Sequence, residues 1–518
     1  QGAQELGMDE KIDRAFGNAT GWFENFIFYQ IPFSDTINIY WVLFPLILGA
    51  AYFTFYFNFI NFRGFFTSLS IVRGKYDHLE GNGNGAIAVA EGTVHTNATG
   101  DIPDTARVEG HEGEVSHFQA LTAALSATVG LGNIAGVAIA VSIGGAGATF
   151  WMIVAGLLGM ASKFVECTLG VKYRDIEADG TVYGGPMYYL TKGLKAKGLG
   201  RLGKVLALLF AVFVIGASFG GGNMFQANQA FKLVENITGG ENSLLYERGW
   251  LFGIVMAVFV GIVIIGGIKK IAKVTDKVVP FMVLVYVIAS VYVLIARYDM
   301  IGDAFMQIFN GAFSPLGVTG GVVGVLVQGF RRAAFSNEAG VGSASIAHAA
   351  VKTKYAASEG MVALLEPFID TVVVCTMTAL VLIITGNVTP ENASLNDAQA
   401  ILLTSGAFES VISWFPYALT VAVLLFAFSS MISWSYYGFQ GWSYLFGRSL
   451  KMEYTYKIIF CMFVVIGSAA SLNSVIDFSD AMVFAMMVPN MIGLVILAPK
   501  VKEELNKYMR AIKNSKNA

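Results

Sequence analysis

Ser126-Ala-Thr-Val-Gly-Leu-Gly-Asn-Ile-Ala-Gly-Val137 sets three glycines, a threonine and an asparagine inside an apolar run otherwise long enough to cross a bilayer. The pattern returns further along the chain, where Asn133-Ile-Ala-Gly-Val137 is echoed by Asn337-Glu-Ala-Gly-Val341 (337 − 133 = 204). At the same offset, without a gap, Phe164-Val-Glu166 matches Phe368-Ile-Asp370 and Gly156 matches Gly360. Several matches at one offset indicate a duplicated unit. Close helix packing accounts for the glycines. It leaves unexplained the Thr, Asn, Ser and Glu of these stretches, because polar groups at mid-membrane depth are costly without a task.

Working outward, apolar stretches able to span about 30 Å of hydrocarbon occur near 38–62, 117–142, 147–171, 203–231, 249–267, 278–297, 317–351, 357–385, 411–438, 455–473 and 478–498, about eleven in all. The 518 residues are 55% hydrophobic and 14% charged, with mean hydropathy +0.61, so the bilayer must be the solvent. The expected fold class is an all-α integral membrane protein. Residues 1–37 read as an extracytoplasmic N-terminal interfacial segment, with Trp22, Phe23, Phe26 and Tyr29 among polar residues. A leading transmembrane helix (38–62) and a cytoplasmic loop (63–116) precede two five-helix units, 117–297 and 317–498, and a cytoplasmic tail, 499–518. Five is odd, so the two units enter the membrane from opposite sides, as in the inverted repeats of secondary transporters. With the N-terminus outside and the C-terminus cytoplasmic, 26 of the 34 Lys and Arg fall in inner segments, against 5 outside and 3 within spans. The expected location is the plasma (inner) membrane.

A net charge of −2 offers no field for nucleic acid, and the bilayer is the partner that composition implies. Cys167, Cys375 and Cys461 lie in apolar runs without C-x-x-C spacing and read as small core residues. The 77–114 segment is Gly-, Asn- and acid-rich and contains His78, His95 and His111. Their spacing fits no metal-ligand pattern, so it reads as a solvated insertion. Asn18, Asn97 and Asn392 stand in N-x-[ST] triplets, which carry little weight alone. The chain begins at Gln1 and not at methionine, which leaves open a leader removed before this numbering starts.

His117-Phe-Gln-Ala-Leu-Thr122 with Ala124 to Val137, and Phe335-Ser-Asn-Glu-Ala-Gly-Val-Gly342 with Ala347-His-Ala349, resemble signature segments of the sodium:alanine (alanine/glycine:cation) symporter family. The likeness runs from about residue 38 to 500; the 77–114 insertion and Leu131, where many members have a small hydroxyl residue, depart from it. Thr128-Val-Gly-Leu-Gly-Asn133 also resembles the broken first helix of neurotransmitter:sodium symporters. The resemblance implies a leucine-transporter-like core of five plus five helices, with substrate and sodium at two unwound segments.

An unwound turn frees amides on one side and carbonyls on the other. Amides near Leu131, Gly132 and Asn133, flanked by Thr128 and Gly130, suit a substrate carboxylate; Ser336 and Asn337 occupy the matching break. By the resemblance, the carbonyls of Ser126, Val129 and Phe426 and the hydroxyls of Ser429 and Ser430 would form an all-oxygen sodium shell. Hydroxyl pairs in membrane helices also bond their own backbone. Asn223 and Gln226 on the fourth span either bind substrate or join helices, and Phe335 and Trp434 either wall the pocket or pack elsewhere. Arg331 and Arg332, beside the second break, are expected at an extracellular gate. Lys163 and Glu166 at i, i+3 suggest a mutual ion pair, whereas Glu366 and Asp370 suggest no partner.

The expected function is sodium-coupled symport of a small neutral amino acid, alanine or glycine, with Na+ as coupling ion and no other cofactor. A proton-coupled transporter of the same fold, using Glu338 or Asp370, is the alternative. An intramembrane hydrolase finds no support, since no H-E-x-x-H or G-x-S-x-G lies near His348. An inverted repeat favours alternation between two states over a plain channel or receptor.

Overall fold

The computed structural model describes residues 8–34, 37–79, 113–246, 248–313, 321–387, 397–469 and 473–517. Most of the 77–114 insertion, with His95, His111 and Asn97, lies outside them, as does Asn392. Helix α1 (Met8–Ile27) leads into an antiparallel hairpin of β1 (Gln30–Ser34) and β2 (Ile37–Tyr40), which apolar patterning does not signal, and then α2 (Leu43–Tyr56). The expected first unit contains α3 (His117–Thr128), α4 (Val137–Gly144), α5 (Gly147–Lys172), α6 (Pro186–Ala196), α7 (Gly200–Phe219), α8 (Phe225–Ile237), α9 (Gly249–Ile264) and α10 (Gly267–Ala296). After α11 (Ile301–Phe313), the second contains α12 (Gly321–Asn337), α13 (Ala344–His348), α14 (Ala356–Thr385), α15 (Asp397–Glu409), α16 (Phe415–Phe446), α17 (Leu450–Ala469) and α18 (Asn473–Asn517).

Among the described residues, seven helices are long and apolar enough to cross a membrane: α5, the stretch Gly200–Ile237, α10, α14, α16, α17 and the Asp477–Ser515 part of α18. The pair α3 and Gly132–Gly144 adds an eighth if it is one span, bent by 58°. Of the other expected spans, α2 and α9 are apolar but only 14 and 16 residues long, and α12 stops at a break. Helix α10 turns Phe281, Leu284, Ile288, Tyr292 and Ile295 outward, a stripe at helical spacing that suits lipid.

Helix α3 starts at a capping box, in which Ser116 Oγ accepts from the Gln119 amide and the Gln119 side chain accepts from the Ser116 amide. It stops because Val129 is extended (ψ 103) ahead of Gly130, and a π turn, Gly132–Gly136, follows. Two more π turns, Gly220–Met224 and Phe368–Cys375, interrupt the α7–α8 stretch and α14. Such turns loosen the backbone ladder, often at functional sites. The second break follows α12, where Glu338 (φ 51), Gly340 (φ 87) and Gly342 (φ 103) adopt left-handed geometry.

Helix α5 is the central post, in contact with α2, α11, α12, α13 and α14. The echoed glycines lie on its contact with α14: a Cβ at Gly156 would stand 3.0 Å from Thr371, and one at Gly360 only 1.9 Å from Thr168 Oγ1 and 2.7 Å from the Phe164 carbonyl. Just past α5, buried Arg174 donates through Nη1 to the carbonyls of Ala349 (2.6 Å) and Val351 (2.5 Å), and through Nη2 to that of Thr353 (3.1 Å). These bonds hold the irregular segment after α13 against the post.

Candidate binding site between two helix breaks

A cavity of about 110 Å³ lies where the two breaks meet. Thr128, Gly130, Leu131 and Gly132 line it from the first break, Gln226 from α8, and Arg332, Phe335 and Glu338 from the second. Trp434 of α16 and Asp480 and Val483 of α18 complete much of the wall. Phe335 is fixed edge-on against Phe484, 4.4 Å between centroids. Trp434 lies tight on the π turn at Gly222, where a Cβ would come 2.4 Å from its Cγ. Gln226 donates to the Gly221 carbonyl at 3.2 Å, while its Oε1 is buried without a hydrogen-bond partner. Glu338 accepts from Ser343 Oγ at 2.5 Å.

The other expected site residues turn away from the cavity. Asn133 accepts from the Gly130 amide (2.7 Å) and donates to Ser336 Oγ (3.0 Å) and Asp370 Oδ1 (2.7 Å), while its own amide closes onto the Gly130 carbonyl (3.1 Å). Ser336 donates to Asp370 Oδ2 (2.6 Å), and Asn337 to Thr371 Oγ1 (2.8 Å). The three therefore clamp both breaks onto α14. Asn133 and Ser336 also give Asp370 the partners that local spacing cannot name. Asn223 donates to the Phe460 carbonyl at 2.7 Å, joining the π turn to α17. The two arginines part: Arg332 borders the cavity, 6.0 Å above the Phe335 ring, whereas Arg331 stacks over Tyr40 at 4.7 Å.

Beside the cavity, Ser126 Oγ donates to the Ser429 carbonyl (2.6 Å), Ser430 Oγ to the Ser126 carbonyl (2.9 Å), and Ser429 Oγ to the Phe426 carbonyl (3.0 Å). Four of the five expected shell residues thus bring hydroxyls and carbonyls together between α3 and α16, a donor set suited to a hard cation. Val129 is buried next to them, at the end of α3. Ser430 touches both regions, since it lines the cavity and stands 3.2 Å from where a Gly130 Cβ would be.

The expected Lys163–Glu166 pair is the longer of two contacts. Lys163 Nζ is 3.8 Å from Glu166 but 2.8 Å from Glu366, because α14 faces this turn of α5 across the glycine contact. Asp480 escaped sequence reading, although an acid inside an apolar span is itself a signal. Gly221, whose amide donates to Ser479 Oγ, also lines the cavity unforeseen.

The sodium:alanine symporter family matches residues 25–518. The chain belongs to that family. It is similar to the sodium/alanine symporter AgcS of Methanococcus maripaludis, 41% identical over 413 residues, covering 79% of this chain and 88% of AgcS. The amino-acid carrier protein AlsT of Bacillus subtilis is 32% identical, covering 90% of this chain and 89% of AlsT. The crystal structure of MhsT in complex with L-phenylalanine, at 14% identity, superposes with a TM-score of 0.52, covering 76% of this chain and all of MhsT. The symporter-family chain therefore has the leucine-transporter fold and is a multi-pass membrane transporter, not an enzyme.

Proposed function

We propose that this protein carries a small neutral amino acid, alanine or glycine, together with sodium by alternating access. The observation that carries the reading is the small walled cavity at two helix breaks, adjoining an all-oxygen cluster through Ser430. The substrate carboxylate rests on the amides around Leu131 and Gly132, while Gln226 Oε1 and Glu338 face its ammonium end. Sodium takes the oxygens of Ser126, Val129, Phe426, Ser429 and Ser430. Arg332, with Asp480 of the same cavity wall, closes the outer side.

An eleven-span chain with an inverted repeat, N-terminus outside and C-terminus in the cytoplasm of a plasma (inner) membrane, belongs to the same reading. Element order supports it. Helices α3 and α12 are each followed by a break, a short half-helix and a long apolar helix.

Radiolabelled alanine uptake into proteoliposomes, with sodium, potassium and proton gradients imposed separately, tests the coupling. Uptake is expected to require sodium and to rise with an inside-negative potential, each uncompensated charge adding about 2.3 kcal/mol per 100 mV. Equal uptake from sodium-free medium under a proton gradient would favour proton coupling.

Phe335 and Trp434 limit cargo size, so alanine and glycine should compete strongly for uptake and phenylalanine weakly. Gly222→Val should drive the indole across the cavity. Overpacking of about 1–3 kcal/mol corresponds to a loss of alanine affinity of roughly ten- to hundredfold. Competition by phenylalanine equal to that by alanine would remove both side chains from the pocket wall.

A further inference from the structure

Away from the cavity, Glu359 of α14 is completely buried and holds two histidines at once. His117, the first residue of α3, brings Nδ1 to Glu359 Oε2, and His348, the last of α13, brings Nδ1 within 2.5 Å of Oε1. The other ring nitrogen of His348 lies 3.6 Å from Glu366 Oε2. An imidazole hydrogen-bonded to one carboxylate at Nδ1 and at ion-pair distance from a second at Nε2 is favoured as imidazolium, because both neighbours carry the opposite charge. Glu366 also takes Lys163, which neighbours Glu166, and Glu166 accepts from Asn490 of α18 at 3.2 Å.

Three buried carboxylates thus share one ammonium. With neutral imidazoles the cluster would carry two surplus negative charges where unpaired charge is expensive. A proton on each histidine offsets those two charges. The remaining titratable neighbours add no cation: Glu338 at the cavity wall lies in the field of Lys163, Cys167 of α5 lies near Glu359, and Tyr437 of α16 lies near Glu366. The same end is tied by backbone, with the Glu114 amide on the Ala350 carbonyl and the Lys352 amide on the Val115 carbonyl, each 2.7 Å.

We propose that His117, Glu359 and His348 form a proton-binding latch, separate from cavity and sodium shell: packing the start of α3 and the end of α13 against α14 takes up protons and parting them releases protons. This rests on the alternating-access reading, since α3 must part from α14. Once water reaches the opened latch, an imidazole keeps its proton only below about pH 6.5. The closed form therefore gains as pH falls and the open form as pH rises, by up to about tenfold per pH unit for each linked proton.

The test uses the full chain in lipid nanodiscs, with spin labels at Phe118→Cys and Lys354→Cys in a Cys461→Ser background. The ratio of long to short label distances is expected to rise at least about tenfold between pH 6.5 and 8.5. His348→Gln and Glu359→Gln should flatten that slope; His117→Gln serves if either fails to fold. In parallel, histidine 15N resonances at pH 8 should include imidazolium signals that His348→Gln removes. Neutral imidazoles at pH 8, or a slope that survives the substitutions, overturns the latch. Distances that switch with sodium and alanine yet ignore pH overturn the latch alone. Distances that never switch, with imidazolium present, overturn alternating access and the latch with it.

Discussion

Lys163→Ala is expected to destabilise the protein by about 3–5 kcal/mol, the range for removing one partner of a buried ion pair. The ammonium is fully buried, 2.8 Å from Glu366 and 3.8 Å from Glu166. Its loss takes the ammonium away from two fully buried carboxylates. Denaturation in detergent micelles reads the effect directly. Replacing the charges by apolar side chains of similar size, Lys163→Met with Glu366→Leu, should recover much of the loss, because the interior then has fewer charges to satisfy. A Lys163→Ala protein as stable as the wild type would mean that water reaches this part of the post.

The second large effect separates cation from cargo. Ser429→Ala with Ser430→Ala removes two hydroxyls from the oxygen cluster but leaves the first break intact. At about 0.5–1.5 kcal/mol per polar contact, sodium affinity should fall roughly tenfold or more. Alanine affinity should fall with it through linkage and recover at high sodium. Gly132→Leu should weaken alanine binding at every sodium concentration. Gly132→Ala should be tolerated, since the nearest atom to a Cβ there is Ser336 Cα at 3.8 Å. Alanine affinities over a sodium series in each variant decide the matter. Wild-type sodium dependence in the double serine variant would reduce the pair to a helix contact.

Much of this fold was legible because its decisive features are local. Gly130 and Gly132 interrupt an apolar run, and the chain bends by 58° there. Gly156 and Gly360 match at the repeat offset, and both lie on the close contact of α5 with α14. The π turns were not legible, since one extra residue in a turn leaves no trace in hydrophobic periodicity. Side-chain direction was harder still. Asn133 has the residue type and depth of a ligand, but its carboxamide bridges Gly130 and Asp370, a choice made by a helix 237 positions away. Lys163 shows the same limit: spacing finds the neighbour at i+3, whereas Glu366 becomes visible only when the two halves pack.

The contact of Arg174 with three carbonyls of 349–353 has a consequence for how the chain can vary in length. Alternate residues Ala349, Val351 and Thr353 present their oxygens to one planar guanidinium, so the spacing of the acceptors is set by the fork of the donor. A residue inserted here would shift the register and leave buried carbonyls unmatched. Most surface loops tolerate such changes because nothing measures them. This one is held against a ruler.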